Sequence, residues 1–408
     1  MFTAIETMPA EELELRWSRC RALMDEHIPE AGGLLVFARV PLYWLTGHLA
    51  NGMFWLPREG TPVLLCRKGI ERARLESPME AIFEFRSYRD VRGLLAEAGS
   101  PLTTVAAVQM NGLPWSFGLK LEQELNHDTR LIPGDMILAL ARMKKSPWEL
   151  SKMRLCGERH HMALHEMLPQ VLRPGMNERE VSHLAWEAFY AMGHSGPLRM
   201  GNFGEECFLG HVAAGDSANY PSVFNGPVGL RGEHPAVPFM GNAGKLWNLG
   251  EPLACDIGFC LEGYVTDKTQ VYWAGPQSSV PDAARVGHDF CVEVQQLLAD
   301  NMVPGALPDD LYRQIMELTA ARGLEEGFMA LGGNKVSFLG HGIGLVIDEF
   351  PAIAAKIKVP LEEGMTLALE PKFGIPGLGM VGVENTFEVT ASGAVCITGD
   401  EFELVCVE

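Results

Sequence analysis

The chain has 408 residues, 47% of them apolar and 21% charged, with 52 acidic against 33 basic side chains and a formal net charge of −19. That length calls for two domains rather than one core, and the composition is that of a soluble globular protein. The negative balance disfavours nucleic acid and anionic membrane surfaces as main partners, and no run of about 18 apolar residues offers a membrane span.

The N-terminus, MFTAIETMPAEELELRW, is acidic and lacks a basic stretch followed by an apolar core, which argues against a secretion signal. The nine cysteines are scattered without C-x-x-C pairs, which predicts free thiols in a reducing cytoplasm. From there the periodicity predicts a helix over Pro9–Leu23 and short strands at Gly33–Phe37 and Pro62–Leu65. Tyr43-Trp-Leu-Thr-Gly47 ends an apolar run at a turn, Val91–Ala98 reads as helix and Thr103–Gln109 as strand. Alternation of this kind implies an α/β domain over residues 1–142.

A polar, basic break follows at Arg142–Ser146, and Ser146-Pro-Trp-Glu149 is a capping box with proline at the first helical position. Long helices are expected over Pro147–Leu172 and Glu178–Met192, the second capped by Asn177 with Glu180 at its third position. Residues 195–250 are rich in glycine and proline and read as long loops around short strands, a composition that in compact proteins goes with function. Two more helices follow at about Pro281–Asn301 and Pro308–Arg322, then a glycine-rich turn and strands at Met365–Phe373 and Met380–Thr390. Residues 147–408 thus form an α+β domain.

Chemistry concentrates first in Leu253–Trp273, where Asp256 and Asp267 sit in apolar, β-branched and aromatic sequence around the turn signal Leu261-Glu-Gly263. A two-residue turn at Glu262-Gly263 sets Asp256 opposite Thr269 and Asp267 two residues from it, so both carboxylates share a face. Two acids on one buried face repel unless a cation or a shared proton lies between them. Glu370 and Glu384 repeat the arrangement, each among apolar residues on strands flanking Gly374–Gly379. His341 lies between glycines that let the backbone approach a ligand. These five side chains supply ligands for two divalent ions that activate water and polarise a carbonyl. His160, His161 and His165, with Glu166, imitate a zinc site but lack the H-E-x-x-H pattern and a third ligand, and read as a solvated helix face. His234, in Arg231-Gly-Glu-His-Pro235, is either a site residue or an ordinary loop histidine.

In order and spacing, Asp256, Asp267, Gly340-His341-Gly-Ile-Gly344, Glu370-Pro371 and Glu384 resemble the pita-bread metallopeptidases: methionine aminopeptidase, aminopeptidase P and prolidase, with creatinase as a metal-free relative. The likeness spans about residues 147–408, and the first 140 or so resemble the creatinase-type N-terminal domain, which points to the prolidase, aminopeptidase P and creatinase branch rather than to methionine aminopeptidase. The resemblance implies a pita-bread catalytic domain over 147–408 behind a smaller creatinase-like domain over 1–142. It implies Asp256 on one metal, Asp267 and Glu384 bridging two, and His341 and Glu370 on the other, with Glu370 taking a proton from the bridging water. It also implies a homodimer.

Several positions depart from the family pattern. Asp348 stands where a second, substrate-binding histidine is usual, and an ionised acid cannot donate its hydrogen bond. The place of the upstream substrate histidine falls on Phe239 or, with an insertion, on Ser222, leaving His234 as a catalytic candidate and Asp348 and His211 as substrate-binding candidates. Gly382 replaces the usual arginine before the last glutamate. The first reading is therefore a cytoplasmic dinuclear metallohydrolase (manganese, cobalt, zinc or iron) of the Xaa-Pro aminopeptidase or dipeptidase type. A second keeps fold and metals but acts as a hydrolase or lyase on a small charged metabolite, and a third is a non-catalytic binding protein.

Overall fold

The structure is a computed structural model and describes residues 2–125, 128–202 and 204–408. The chain divides into two compact units, Met1–Arg142 and Met143–Glu408.

In the first unit, strands β1 (Gly33–Val36), β2 (Asn51–Pro57), β3 (Val63–Lys68), β4 (Ile82–Glu84), β5 (Val105–Val108) and β6 (Arg130–Pro133) form one sheet in the order β4-β3-β2-β1-β5-β6. β1, β2 and β3 are antiparallel neighbours, while β4, β5 and β6 join in parallel. One face buries Leu35, Trp55, Leu65, Phe85 and Val91. The predicted turn at Tyr43–Gly47 is the end of a helix, Arg39–Thr46, closed by Gly47 at φ 73°, a left-handed angle that suits glycine.

The second unit holds β7 (Gly210–Ala214), β8 (Pro252–Leu261), β9 (Tyr264–Ala274), β10 (Phe338–Gly342), β11 (Glu349–Ala354) and β12 (Thr366–Leu369). After these come β13 (Lys372–Ile375), β14 (Gly379–Gly382), β15 (Asn385–Thr390), β16 (Gly393–Cys396) and β17 (Val405–Val407). They form a sheet β17-β9-β8-β7, a second sheet β11-β10-β12-β15-β16, and a separate ribbon β13-β14. The long helices of the unit are Pro147–His161, which runs on through a π-helical segment at Met162–Met167 and a short helix at Leu168–Val171, Glu178–Ala191, Asp282–Asn301 and Pro308–Arg322. Both expected capping boxes form: Ser146 and Glu149 exchange hydrogen bonds at 3.2 and 3.0 Å, and Asn177 and Glu180 at 2.9 and 2.8 Å.

Two expectations change. The glycine-rich turn is an inner strand, β10, because its glycines remove clashes: a Cβ on Gly340 would lie 2.3 Å from the Ala368 carbonyl oxygen. Each of the two last predicted strands is broken in two. Pro371 has no N–H for the ladder and Gly382 takes φ 126°, so the chain between them leaves the sheet as the β13-β14 ribbon.

Helix Pro147–His161 approaches the backbone at Gly157, where an added Cβ would lie 2.0 Å from the Ile397 carbonyl oxygen. Alanine normally favours a helix over glycine by about 1 kcal/mol. Here the clash reverses the sign: Gly157→Ala is expected to destabilise the chain by about 1–3 kcal/mol, read as a lower thermal midpoint, and a raised midpoint would contradict this packing.

Candidate metal centre

The β8–β9 hairpin turns through Glu262 (φ 52°) and Gly263 (φ 88°), the two positive angles of a tight turn that follows strand twist. Its register pairs Asp256 with Thr269 and Gly258 with Asp267, so the two aspartates lie on one face. The second sheet meets this face through main-chain and side-chain bonds. Thr269 N–H donates to the Glu384 carbonyl at 3.1 Å, and Thr386 Oγ1 accepts from Asp267 N–H at 2.9 Å. Leu369 pairs with Asn385, which sets Glu370 and Glu384 one step beyond that rung. His341 enters from β10, opposite Ala368.

Asp267, His341 and Glu384 each offer a ligand atom, and these atoms all lie within 4.8 Å of one another. Glu370 Oε1 is 3.7 Å and Glu384 Oε1 3.9 Å from His341 Nε2. His341 Nδ1 lies 3.1 Å from the Gly342 carbonyl and 3.6 Å from Asp348 Oδ1. A proton on Nδ1 satisfies those acceptors and leaves the Nε2 lone pair facing the acids, as a metal-binding imidazole requires. Asp267, Glu370 and Glu384 are buried and Asp256 partly so. This donor set fits one divalent ion held by Asp267, His341 and Glu384, with Glu370 beside it.

The electrostatics agree. Burial, and then the charges of Glu384 and Asp256, push the Asp267 carboxyl well above the carboxylate range. Burial and Glu384 do the same to Glu370, and burial raises Glu384 to about 7 against the pull of Lys372. Asp256 goes the other way: burial opposes ionisation, but the Lys372 ammonium and His211 hold it below the ordinary value. Buried acids that raise one another in this way call for a cation among them, as the carboxylates of a metal-binding face do.

Lys372 was not foreseen. It is 1% exposed, and its Nζ donates to Glu384 Oε2 at 2.8 Å and lies 4.0 Å from Glu370 Oε2. The available signal was spacing: Glu370 and Lys372 are two residues apart in extended sequence, which turns both toward one face.

A cavity opens onto the centre, lined by Asp256, Asp267, His341, Glu370 and Glu384 and, on its outer wall, by Glu205, Cys207, His211, Phe224 and Asp348. His211, paired with Asp256 across β7–β8, has no hydrogen-bond partner for Nδ1 among the described residues. His234 lies elsewhere. It sits on an exposed turn closed by hydrogen bonds with Val237, its Nδ1 accepts from Ala236 N–H at 3.1 Å, and it is not among the cavity's lining residues.

The model of metallopeptidase family M24 matches residues 151–391, and that of the creatinase/prolidase N-terminal domain matches residues 16–144. The chain belongs to metallopeptidase family M24. Within that family it is 26% identical over 410 residues to the probable dipeptidase PepE of Mycobacterium tuberculosis, covering 96% of both proteins. An Xaa-Pro dipeptidase from Bacillus anthracis superimposes with a TM-score of 0.79 at 20% identity, covering 97% of this chain and all of that one. Dipeptidase PepE from Mycobacterium ulcerans gives 0.77 at 24%, covering 98% and 100%. This M24 chain therefore has the creatinase-type N-terminal domain and pita-bread fold of the prolidases, and is a metallopeptidase by family. No helix among its described residues is long and apolar enough to cross a membrane.

The histidine cluster of this M24 chain is not a solvated helix face. His160 is fully buried, packed at 5.4 Å from Phe189 and 5.7 Å from Phe259, with Nδ1 3.0 Å from Thr266 Oγ1. His161 and His165 stack at 4.9 Å, near Glu401 and Glu403. Burial holds His160 neutral, far below its ordinary pKa. A proton then binds only the unfolded chain, so the stability His160 provides is complete above pH 6.5 and is lost as the pH falls below it. Relative to His160→Leu, the native chain should lose stability as the pH falls below 6.5, by up to about 1.4 kcal/mol per pH unit, measured by chemical denaturation; parallel profiles would contradict a buried neutral ring.

Proposed function

We propose that the chain is a metal-dependent hydrolase of short peptides or other small amides, with the reaction at the Asp267–His341–Glu384 face. The supporting observation is the convergence of those three side chains, with His341 Nδ1 held at the Gly342 carbonyl and Nε2 turned toward the acids. A divalent ion at this position would supply the Lewis acidity that makes water a nucleophile at neutral pH and polarises an amide carbonyl. Glu370, buried at the cavity wall beside His341 Nε2, would in its ionised form take the proton of the attacking water and return it to the leaving amine. Asp348, 3.6 Å from His341 Nδ1, would hold that ring in its orientation. His211, with an unpaired Nδ1 in the same cavity, would meet a polar group of the substrate.

The prolidase reading asks for an Xaa-Pro dipeptide. A second reading, an amide that presents an amine or no charge in place of a carboxylate, is favoured by the cavity wall. Glu205 and Asp348 stand on it, and none of its described residues is lysine or arginine, so a free C-terminal carboxylate finds like charge and no partner.

A panel of Xaa-Pro dipeptides, their C-terminal amides and other small amides, assayed with Mn2+ or Co2+, tests both. Hydrolysis should require the metal, and the amides should have the higher kcat/KM. Glu370→Gln should lower kcat by at least about 100-fold while sparing metal content. Absence of hydrolysis across the panel by a metal-loaded chain would remove the hydrolase reading, and faster turnover of the free acids would return the substrate to the prolidase class.

A further inference from the structure

We propose that Lys372 takes the place of a second metal ion, so that this centre binds one divalent ion per chain. The inference rests on the reading of the cluster as a metal centre and concerns how many ions it admits.

The Lys372 ammonium lies inside the carboxylate cluster and is fixed there. The side chain is 1% exposed and starts on β13, opposite Gly382. The ribbon is tightly packed at that pair, where a Cβ on Gly382 would lie 2.7 Å from Lys372 Cα and 3.2 Å from Cys291 Sγ. With solvent closed off, the ammonium finds its partner within the cluster, at Glu384 Oε2 2.8 Å away.

Glu384 decides the count. Its Oε2 accepts two hydrogen bonds, from Lys372 Nζ at 2.8 Å and from Thr269 Oγ1 at 3.0 Å. A carboxylate oxygen has about two lone-pair sites, so Oε2 is fully engaged and only Oε1, 3.9 Å from His341 Nε2, remains for a metal. A glutamate that binds through one oxygen on the His341 side cannot also span to an ion on the Asp256 side through the other.

Lys372 Nζ thus lies 2.8 Å from Glu384 Oε2 and 4.0 Å from Glu370 Oε2, while Asp267, Glu384 Oε1 and Glu370 Oε1 gather around the His341 imidazole. Asp256 stands outside the Asp267–His341–Glu384 group. A second divalent ion would have to displace both donors from Glu384 Oε2 and lie against a positive charge that cannot leave.

The test is metal stoichiometry and spin coupling. The purified full-length chain is saturated with Mn2+, desalted and analysed by elemental mass spectrometry and electron paramagnetic resonance, alongside Lys372→Met and Lys372→Gly. The native chain should retain about one ion per chain with the spectrum of an isolated Mn2+, and the variants should approach two with an exchange-coupled spectrum. Two coupled ions in the native chain would overturn the role given to Lys372 and leave the hydrolase reading standing. No retained ion would remove the metal centre itself, and this proposal with it. A variant that keeps its circular dichroism spectrum and remains at one ion would also overturn it. If neither variant folds, the native stoichiometry decides.

Discussion

Like charges cannot share a buried face without a cation among them, and the second unit is arranged around meeting that constraint. Asp256 and Asp267 come from one hairpin, Glu370 and Glu384 from just beyond the ends of two strands of another sheet, and His341 from a third strand of that sheet. Each is held by a local device with its own physical cause. The hairpin turns on two positive-φ residues, and the two sheets are joined by the Thr269–Glu384 and Asp267–Thr386 bonds. β10 is lined with glycines so that the neighbouring backbones can close on it. Removing the cation would leave charges the surroundings cannot solvate, and the raised carboxyl pKa values of Asp267, Glu370 and Glu384 are that cost expressed as retained protons.

What was legible in the sequence was whatever is set by local pattern. The register of the β8–β9 hairpin follows from its two-residue turn, and the two capping boxes follow from side chains three residues apart. Helices with strong periodicity, Asp282–Asn301 and Pro308–Arg322 among them, begin and end close to where apolar spacing puts them. β2, β4 and β6 were not foreseen: β4 has three residues and β6 four, with little burial, too short for a period to register. β2 buries five consecutive residues and so lacks the alternation of a half-exposed strand.

The remaining gaps depend on tertiary contact. Glycine density around His341 suggested a turn, but the glycines serve close approach between strands. His160 looked like one of several surface histidines, and only the packing of Phe189 and Phe259 on it shows that it is core. His234 was considered for the site because its loop precedes the hairpin, yet its turn is satisfied within itself and exposed. Lys372 is the largest omission. A lysine on a strand is usually solvent-facing, and the two-residue spacing from Glu370 suggests a shared face without showing that this one is buried against Glu384.

The proposed chemistry depends on the place of the metal. Crystals grown with Mn2+ and measured at an energy where manganese scatters anomalously would locate it directly. A single peak is predicted about 2.0–2.4 Å from His341 Nε2 and from carboxylate oxygens of Asp267 and Glu384. A peak bound elsewhere, or none on this face, would contradict it.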